Sequence, residues 1–164
     1  MTPAVALDAQ QELPSQSPPP GASKEDVLAR LMLVCVGGAI GSGARYLVAS
    51  WAANAWPMTV PVGTAIVNVV GSWFIAVVMD LSLRAAVISP DMRLFLATGV
   101  AGGFTTYSAF NHETLHLLEE RAFLLALAYM AGMIFLCLAA GLLGLATSRI
   151  ISGALSGFFT GGWR

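Results

Sequence analysis

Charge is what this sequence lacks most. Asp, Glu, Lys and Arg make up only 10% of the 164 residues, whereas 57% are hydrophobic. A soluble domain needs about 25% charged residues to keep its surface hydrated. The composition therefore excludes a soluble domain and indicates a membrane protein. The net charge of −1 and the lack of any basic cluster give no support to nucleic-acid binding.

Cysteine is also scarce, and both copies lie in apolar stretches. Nothing in the sequence orients Cys35 toward Cys137, so a disulfide is not expected. A lone thiol in such a setting commonly behaves as a small buried hydrophobic side chain. The two cysteines therefore predict packing and no redox chemistry.

Histidine occurs only twice, within a single pattern. The stretch His112-Glu113-Thr114-Leu115-His116 matches the H-E-x-x-H motif of zinc metalloproteases. On a helix, His112 and His116 would share a face and could bind zinc, with Glu113 as general base. A catalytic site needs a third protein ligand, and the sequence has no other histidine to supply one. An intramembrane zinc metalloprotease is therefore the alternative interpretation, and zinc is not expected.

Long uncharged runs are abundant. A hydrocarbon core of about 30 Å needs roughly 20 apolar residues per spanning helix. Four runs are long enough, and their short connections predict antiparallel neighbours. They are approximately Leu28–Ala52, Val60–Leu83, Met92–Leu118 and Ala122–Thr147. The sequence thus predicts an all-α integral membrane protein with four transmembrane helices in one domain, residues 28–147.

The two ends of the chain differ from this domain. Residues 1–27 are rich in Pro, Gln and Ser and contain few large apolar side chains, so we expect a disordered extension. They lack the basic region of a secretory signal. Residues 148–164 are expected to form a short C-terminal tail.

Glycines and polar residues mark the first two spans. Gly37 and Gly41 have the spacing that lets helices approach closely in lipid. Arg45 lies deep in the first span, where a guanidinium either carries function or reaches the interface. In the second span, Asn68 belongs to a polar stripe that must face protein or water, either for function or as a structural hydrogen bond between helices.

The third span departs from ordinary helical sequence. Gly102 and Gly103 are poor helix formers, and the hydroxyl residues that follow offer competing local hydrogen bonds. We therefore expect a break in this helix. Irregular backbone at membrane depth commonly presents carbonyl oxygens to a cation. Beyond the break, Tyr107 and Phe110 are three residues apart and share a helix face.

Three ordered motifs resemble the CrcB/Fluc family of fluoride channels over about residues 30–150. The first is Gly37-Gly38-Ala39-Ile40-Gly41 leading to Arg45-Tyr46. The second is Pro61-x-Gly63-Thr64 leading to Asn68-x-x-Gly71-Ser72. The third runs from Gly99 through Gly102-Gly103-Phe104-Thr105-Thr106-Tyr107-Ser108-Ala109-Phe110 to Glu113.

The resemblance implies an antiparallel, dual-topology dimer with a broken third helix, and passive export of fluoride through the cell (inner) membrane without enzymatic activity. It also implies a structural sodium ion that is not transported, bound by the backbone carbonyls of Gly102 and Thr105. Arg45 would lie in the vestibule. The fluoride pathway would contain Asn68, Thr106, Tyr107, Ser108 and Phe110.

Basic residues give an indication of orientation. Lys24, Arg30, Arg84, Arg93, Arg149 and Arg164 fall toward one face of a four-span arrangement, and Arg121 falls toward the other. The positive-inside rule therefore favours both termini in the cytoplasm. Because this bias is unusual for a chain that inserts both ways, a homodimer and a heterodimer with an oppositely oriented paralogue are both open.

Overall fold

The computed structural model describes residues 21, 23–56 and 61–160, without the side chains of residues 155–160. Residues 1–20 and 22 of the expected N-terminal extension lie outside the described residues, as do residues 161–164 of the expected tail. All regular structure in the described part of the chain is helical.

Three helices in the described part are long and apolar enough to cross a membrane. Helix α1 spans Lys24–Ala55, α2 spans Val62–Leu83, and α6 spans Phe123–Thr160. At 1.5 Å per residue they are about 48, 33 and 57 Å long, against a hydrocarbon core of about 30 Å. The chain is therefore a multi-pass membrane protein.

The chain between α2 and α6 is built from shorter pieces. Helix α3 spans Pro90–Arg93 and continues into a π-helix at Leu94–Ala101, then α4 at Gly102–Phe104. Thr105 and Thr106 have extended backbone, with ψ angles of 155° and 107°, before α5 at Tyr107–Glu119. The sequence predicts a break among the glycines and the hydroxyl residues that follow them. Gly102 and Gly103 are helical, and Thr105 and Thr106 carry the extended backbone.

The glycines allow close contact of α1 with the π-helix and with α4. A Cβ added at Gly37 would lie 2.6 Å from the carbonyl oxygen of Phe95, and one added at Gly41 would collide with the carbonyl oxygen of Val100. A Cβ at Gly103 would lie 2.5 Å from the carbonyl oxygen of Gly38. The backbones thus touch without side chains between them, which is the packing that small residues allow in lipid.

Polar contacts gather at one end of the molecule. The Asp80 carboxylate accepts a 2.6 Å hydrogen bond from Ser148 Oγ and pairs with Arg84 Nε at 3.0 Å. Arg30, at the beginning of α1, pairs with Asp91 of α3 at 3.4 Å. The Asp80 side chain is only 5% exposed and ties the end of α2 to α6.

The two cysteines are free thiols. Cys35 is exposed on α1 in the single chain, contrary to the expectation of a buried side chain. Cys137 is partly buried on α6.

Candidate functional site

The extended backbone at Thr106 is held by the side chain of Asn68. Thr106 N–H donates to Asn68 Oδ1 at 2.8 Å, and Asn68 Nδ2 donates to the Thr106 carbonyl at 3.1 Å. The Thr106 hydroxyl accepts a hydrogen bond from Ala109 N–H and so caps α5. Asn68 therefore replaces the helical partners that the backbone of Thr106 has lost, and one hydrogen of its amide remains unused.

The same interruption leaves two carbonyl groups unengaged. In a continuous helix the Thr106 N–H would donate to Gly102, but here it donates to Asn68. The Ala109 N–H likewise donates to the Thr106 hydroxyl and not to the Thr105 carbonyl. Within the described residues, no hydrogen bond reaches the carbonyl oxygen of Gly102 or Thr105. These hard oxygen donors have the chemistry that a sodium ion requires.

A cavity of about 600 Å³ opens beside this interruption. Residues from α2, the π-helix, α5 and α6 form most of its walls. Its side-chain polar groups come from Asn68, Ser72, Thr98, Thr105 and Tyr107. Its apolar wall includes Ile75, Phe110, Met133, Ile134 and Cys137. None of the described side chains that border the cavity is charged, so an ion inside it would meet neutral dipoles and ring edges from them.

Three aromatic rings form a series along one side of this region. The ring centroids of Tyr107 and Phe110 are 5.8 Å apart with planes tilted by 58°. Phe110 and Tyr129 are 5.4 Å apart and tilted by 53°. Tilted rings bring the electropositive edge of one ring toward the face of another. The side chain of Tyr107 is the most exposed of the three, at 77%.

A second cavity, of about 430 Å³, lies on the other side of the interruption. It is bordered by Arg45, Tyr46, Thr64, Thr106 and Glu113, among others. Arg45 Nε is buried and has no hydrogen-bond partner among the described residues. The cavity thus combines one guanidinium with one carboxyl group that form no ion pair within the described chain.

Glu113 connects three helices through hydrogen bonds, whereas the sequence identified it only as part of a motif. Its two carboxyl oxygens accept hydrogen bonds from Thr64 at 2.6 Å and from Tyr129 at 2.7 Å. Helix α5 is thereby joined to both α2 and α6. The signal in the sequence was the hydroxyl groups of Thr64 and Tyr129, but only the fold brings them to one carboxyl group.

The two histidines of the H-E-x-x-H pattern are exposed and lie apart from the hydrogen bonds of Glu113. His112 is exposed, and His116 is exposed and pairs with Glu120 at 3.4 Å. Glu113 faces α2 and α6 instead. Within the part of the chain that the structure describes, no three His, Cys, Asp or Glu side chains come together as a metal site. The geometry gives no support to a zinc protease.

The residues singled out from the sequence fall into three places. Asn68, Gly102, Thr105, Tyr107 and Phe110 all border the larger cavity. Arg45 and Thr106 border the smaller one. Ser108 borders neither cavity, and its hydroxyl lies 3.3 Å from that of Thr106.

Comparison with known proteins finds relatives that align with most of this chain. A protein of Anaeromyxobacter dehalogenans is 50% identical over 126 residues, which cover 77% of this chain and 100% of the relative. A protein of Agrobacterium fabrum is 43% identical over 73% of this chain and 95% of its own. One of Sorangium cellulosum is 40% identical over 73% of this chain and 94% of its own. All three relatives bear the name fluoride-specific ion channel FluC. The family described as CrcB-like protein, Camphor Resistance (CrcB), matches residues 32–145, and the chain belongs to that family.

Proposed function

We propose that this protein is a fluoride-selective ion channel that passively exports fluoride and lowers its cytoplasmic concentration. The names of its relatives support this function. The structural observation that carries it is the larger cavity, in which Asn68 and Phe110 face a charge-free space beside the extended backbone of Thr105 and Thr106.

The chemistry of this cavity suits a small anion. Fluoride is strongly hydrated, so a pore must replace lost water with several close donors and yet let the ion leave. Asn68 offers its remaining amide hydrogen, Tyr107 offers its hydroxyl group, and Phe110 offers a ring edge. Since none of the described side chains that border the cavity is charged, no side-chain cation would trap the anion in it.

The smaller cavity would serve as the entrance to the pathway. Arg45 there has a guanidinium nitrogen without a partner among the described residues, and a cation near a pore mouth attracts anions. Thr106 borders this cavity, and its hydroxyl lies near that of Ser108, so these two groups would form the passage between the entrance and Asn68.

A second copy in the opposite orientation would complete the channel. The larger cavity is open on one side in the single chain, and the pieces from Pro90 to Glu119 would together form the fourth, broken membrane crossing. The carbonyl oxygens of Gly102 and Thr105 from both copies would bind a structural sodium ion. Such an ion supplies fixed positive charge that holds two interrupted helices together, and it is not transported.

Transport would need no energy source. Fluoride enters an acid-exposed cell as HF, dissociates inside, and leaves as the anion down its electrochemical gradient. The protein would therefore act in the cell (inner) membrane as a channel and not as an enzyme.

Fluoride efflux from liposomes tests this function directly. Purified protein is reconstituted into liposomes loaded with potassium fluoride, and release is followed with a fluoride electrode after a potassium ionophore is added. We expect rapid fluoride release that protein-free liposomes lack. Parallel liposomes loaded with chloride should retain their anion. Absence of fluoride release, or equal chloride release, would refute a fluoride-selective channel.

Crosslinking tests the assembly separately. Two single-cysteine variants, with Cys35 and Cys137 replaced, carry the thiol at opposite ends of α2. The two variants are mixed and treated with a crosslinking reagent. In an antiparallel dimer, opposite ends of α2 from the two copies lie on the same side of the membrane, so the reagent links one variant to the other. In a parallel dimer it links only copies of the same variant. Failure of the antiparallel link would remove the proposed orientation without removing the channel function.

A further inference from the structure

The hydroxyl groups on the larger cavity are not equivalent as hydrogen-bond donors. Ser72 Oγ donates to the carbonyl of Asn68 at 2.7 Å, and Thr105 Oγ1 donates to the carbonyl of Ala101 at 2.9 Å. Each hydroxyl has a single hydrogen, so these two can present only lone pairs to the cavity. Lone pairs repel an anion, and Ser72 and Thr105 are therefore poor ligands for one.

Thr98 differs from both. It lies in the π-helix and borders the same cavity, and its hydroxyl has no hydrogen-bond partner among the described residues. Thr114, Thr147 and Ser152 all donate to the carbonyl four residues earlier, as helical hydroxyls often do. In a π-helix the bonds run from residue i+5 to residue i, which shifts the carbonyls out of this register. The wider turn thus explains why the Thr98 hydrogen stays available.

The α6 side of the larger cavity offers few hydrogen-bond donors, which makes the Thr98 hydroxyl more important. On the cavity side, α6 contributes Met133, Ile134 and Cys137, of which only the Cys137 thiol can donate, and weakly. Asn68 has one amide hydrogen left, because its other hydrogen bonds Thr106. An anion in the cavity is therefore short of donors on the α6 side and depends on the side formed by α2, α5 and the π-helix.

We infer that Thr98 is a ligand for the anion in the larger cavity and donates its hydroxyl hydrogen directly to fluoride. This inference rests on the proposed channel function and adds to it a residue that contacts the ion. The π-helix then has a specific role, since it keeps a threonine hydroxyl from bonding its own backbone and leaves it for the transported anion.

The experiment compares three variants in the fluoride efflux assay. Thr98→Val keeps the shape of the side chain and removes the hydroxyl, whereas Thr98→Ser keeps the hydroxyl. The control is Thr147→Val, the same exchange at a threonine that borders neither cavity. The Thr147 hydroxyl donates to the carbonyl of Leu143 and accepts a hydrogen bond from Trp73 Nε1. Elution of each variant as the wild-type oligomer is checked first, and Thr98→Ala replaces Thr98→Val if that variant does not fold.

We expect Thr98→Val to slow fluoride efflux by about tenfold or more, because a hydrogen bond to a charged group is lost. Thr98→Ser and Thr147→Val should stay within about twofold of wild type, a change too small for the loss of such a bond. Normal efflux in Thr98→Val would overturn the inference. Equal losses in Thr98→Val and Thr98→Ser would also overturn it, since the methyl group would then be what matters. If wild type itself releases no fluoride, the proposed function fails first.

Discussion

The carboxamide of Asn68 bonds both backbone groups of Thr106, accepting from its N–H at 2.8 Å and donating to its carbonyl at 3.1 Å. One side chain on α2 therefore fixes the course of the chain between α4 and α5. The same amide borders the larger cavity and has a hydrogen to spare. The backbone course at Thr106 and the proposed contact with fluoride thus both depend on Asn68.

Replacement of Asn68 by Asp should abolish fluoride efflux. An aspartate removes the donor to the Thr106 carbonyl and, when ionised, adds a negative charge that repels the anion. The control is Asn54→Asp, because Asn54 is exposed at the end of α1 and, among the described residues, its side chain bonds the carbonyl of Ser50 alone. Efflux by the control should match wild type. Undiminished efflux in Asn68→Asp would remove Asn68 from the pathway.

Replacement of Phe110 by Ile should slow fluoride efflux by about tenfold, because an aliphatic side chain lacks the electropositive ring edge. Phe110 borders the larger cavity, between the rings of Tyr107 and Tyr129. Phe135→Ile is the matched control, since Phe135 is 70% exposed on α6 and borders neither cavity. If both variants transport fluoride at the wild-type rate, the ring-edge contact is wrong.

Replacement of Gly41 by Ala should lower the stability of the protein by about 1–3 kcal/mol, the usual effect of overpacking. The new Cβ would collide with the carbonyl oxygen of Val100, which is backbone and cannot rotate away. Gly43→Ala is the control, because a Cβ there meets nothing within 4 Å. Thermal unfolding in detergent, followed by tryptophan fluorescence, should separate the two. Equal midpoints would contradict the close contact between α1 and the π-helix.

Replacement of Asp80 by Asn should also destabilise the protein, by about 1–3 kcal/mol, because Ser148 and Arg84 lose a charged acceptor in a buried place. Asp91→Asn provides the comparison. The Arg30–Asp91 pair is partly exposed, with side-chain exposures of 34% and 64%, and surface pairs contribute about 0–1 kcal/mol. The same unfolding measurement should therefore show a clear shift only for Asp80→Asn. A larger effect at Asp91 would reverse our ranking of the two contacts.

Removal of sodium tests the proposed ion at Gly102 and Thr105. Protein purified with N-methylglucamine as the only cation should unfold at a lower temperature and transport fluoride more slowly, because the carbonyl oxygens at the interruption lose their ligand. Adding sodium back should restore both properties, whereas more N-methylglucamine should not. Stability and efflux that do not respond to sodium would exclude the structural ion and leave the fluoride pathway unaffected.

The site was only partly accessible to sequence reasoning. Asn68 and Phe110 stood out because an amide and spaced aromatics are unusual in apolar spans. The partner of Asn68 was hidden, since Thr106 is 38 residues away and no local pattern encodes that contact. Thr98 could not be identified from the sequence. Its hydroxyl hydrogen is free among the described residues because of a π-helix, and nothing in the apolar stretch Leu94–Ala101 predicts a π-helix.

By itself the sequence determined the membrane class, the approximate apolar spans and the family, because hydropathy and ordered motifs are local properties that add up along the chain. The tertiary structure decided those features in which several groups compete for the same hydrogen-bond partner. It placed the extended backbone at Thr105 and Thr106 and left Gly102 helical, since a side chain from α2 replaces the helical donor and acceptor there. It likewise turned Glu113 toward Thr64 and Tyr129 and away from a metal site. A backbone group takes whichever partner the neighbouring helices bring within reach, and that geometry exists only in the folded protein.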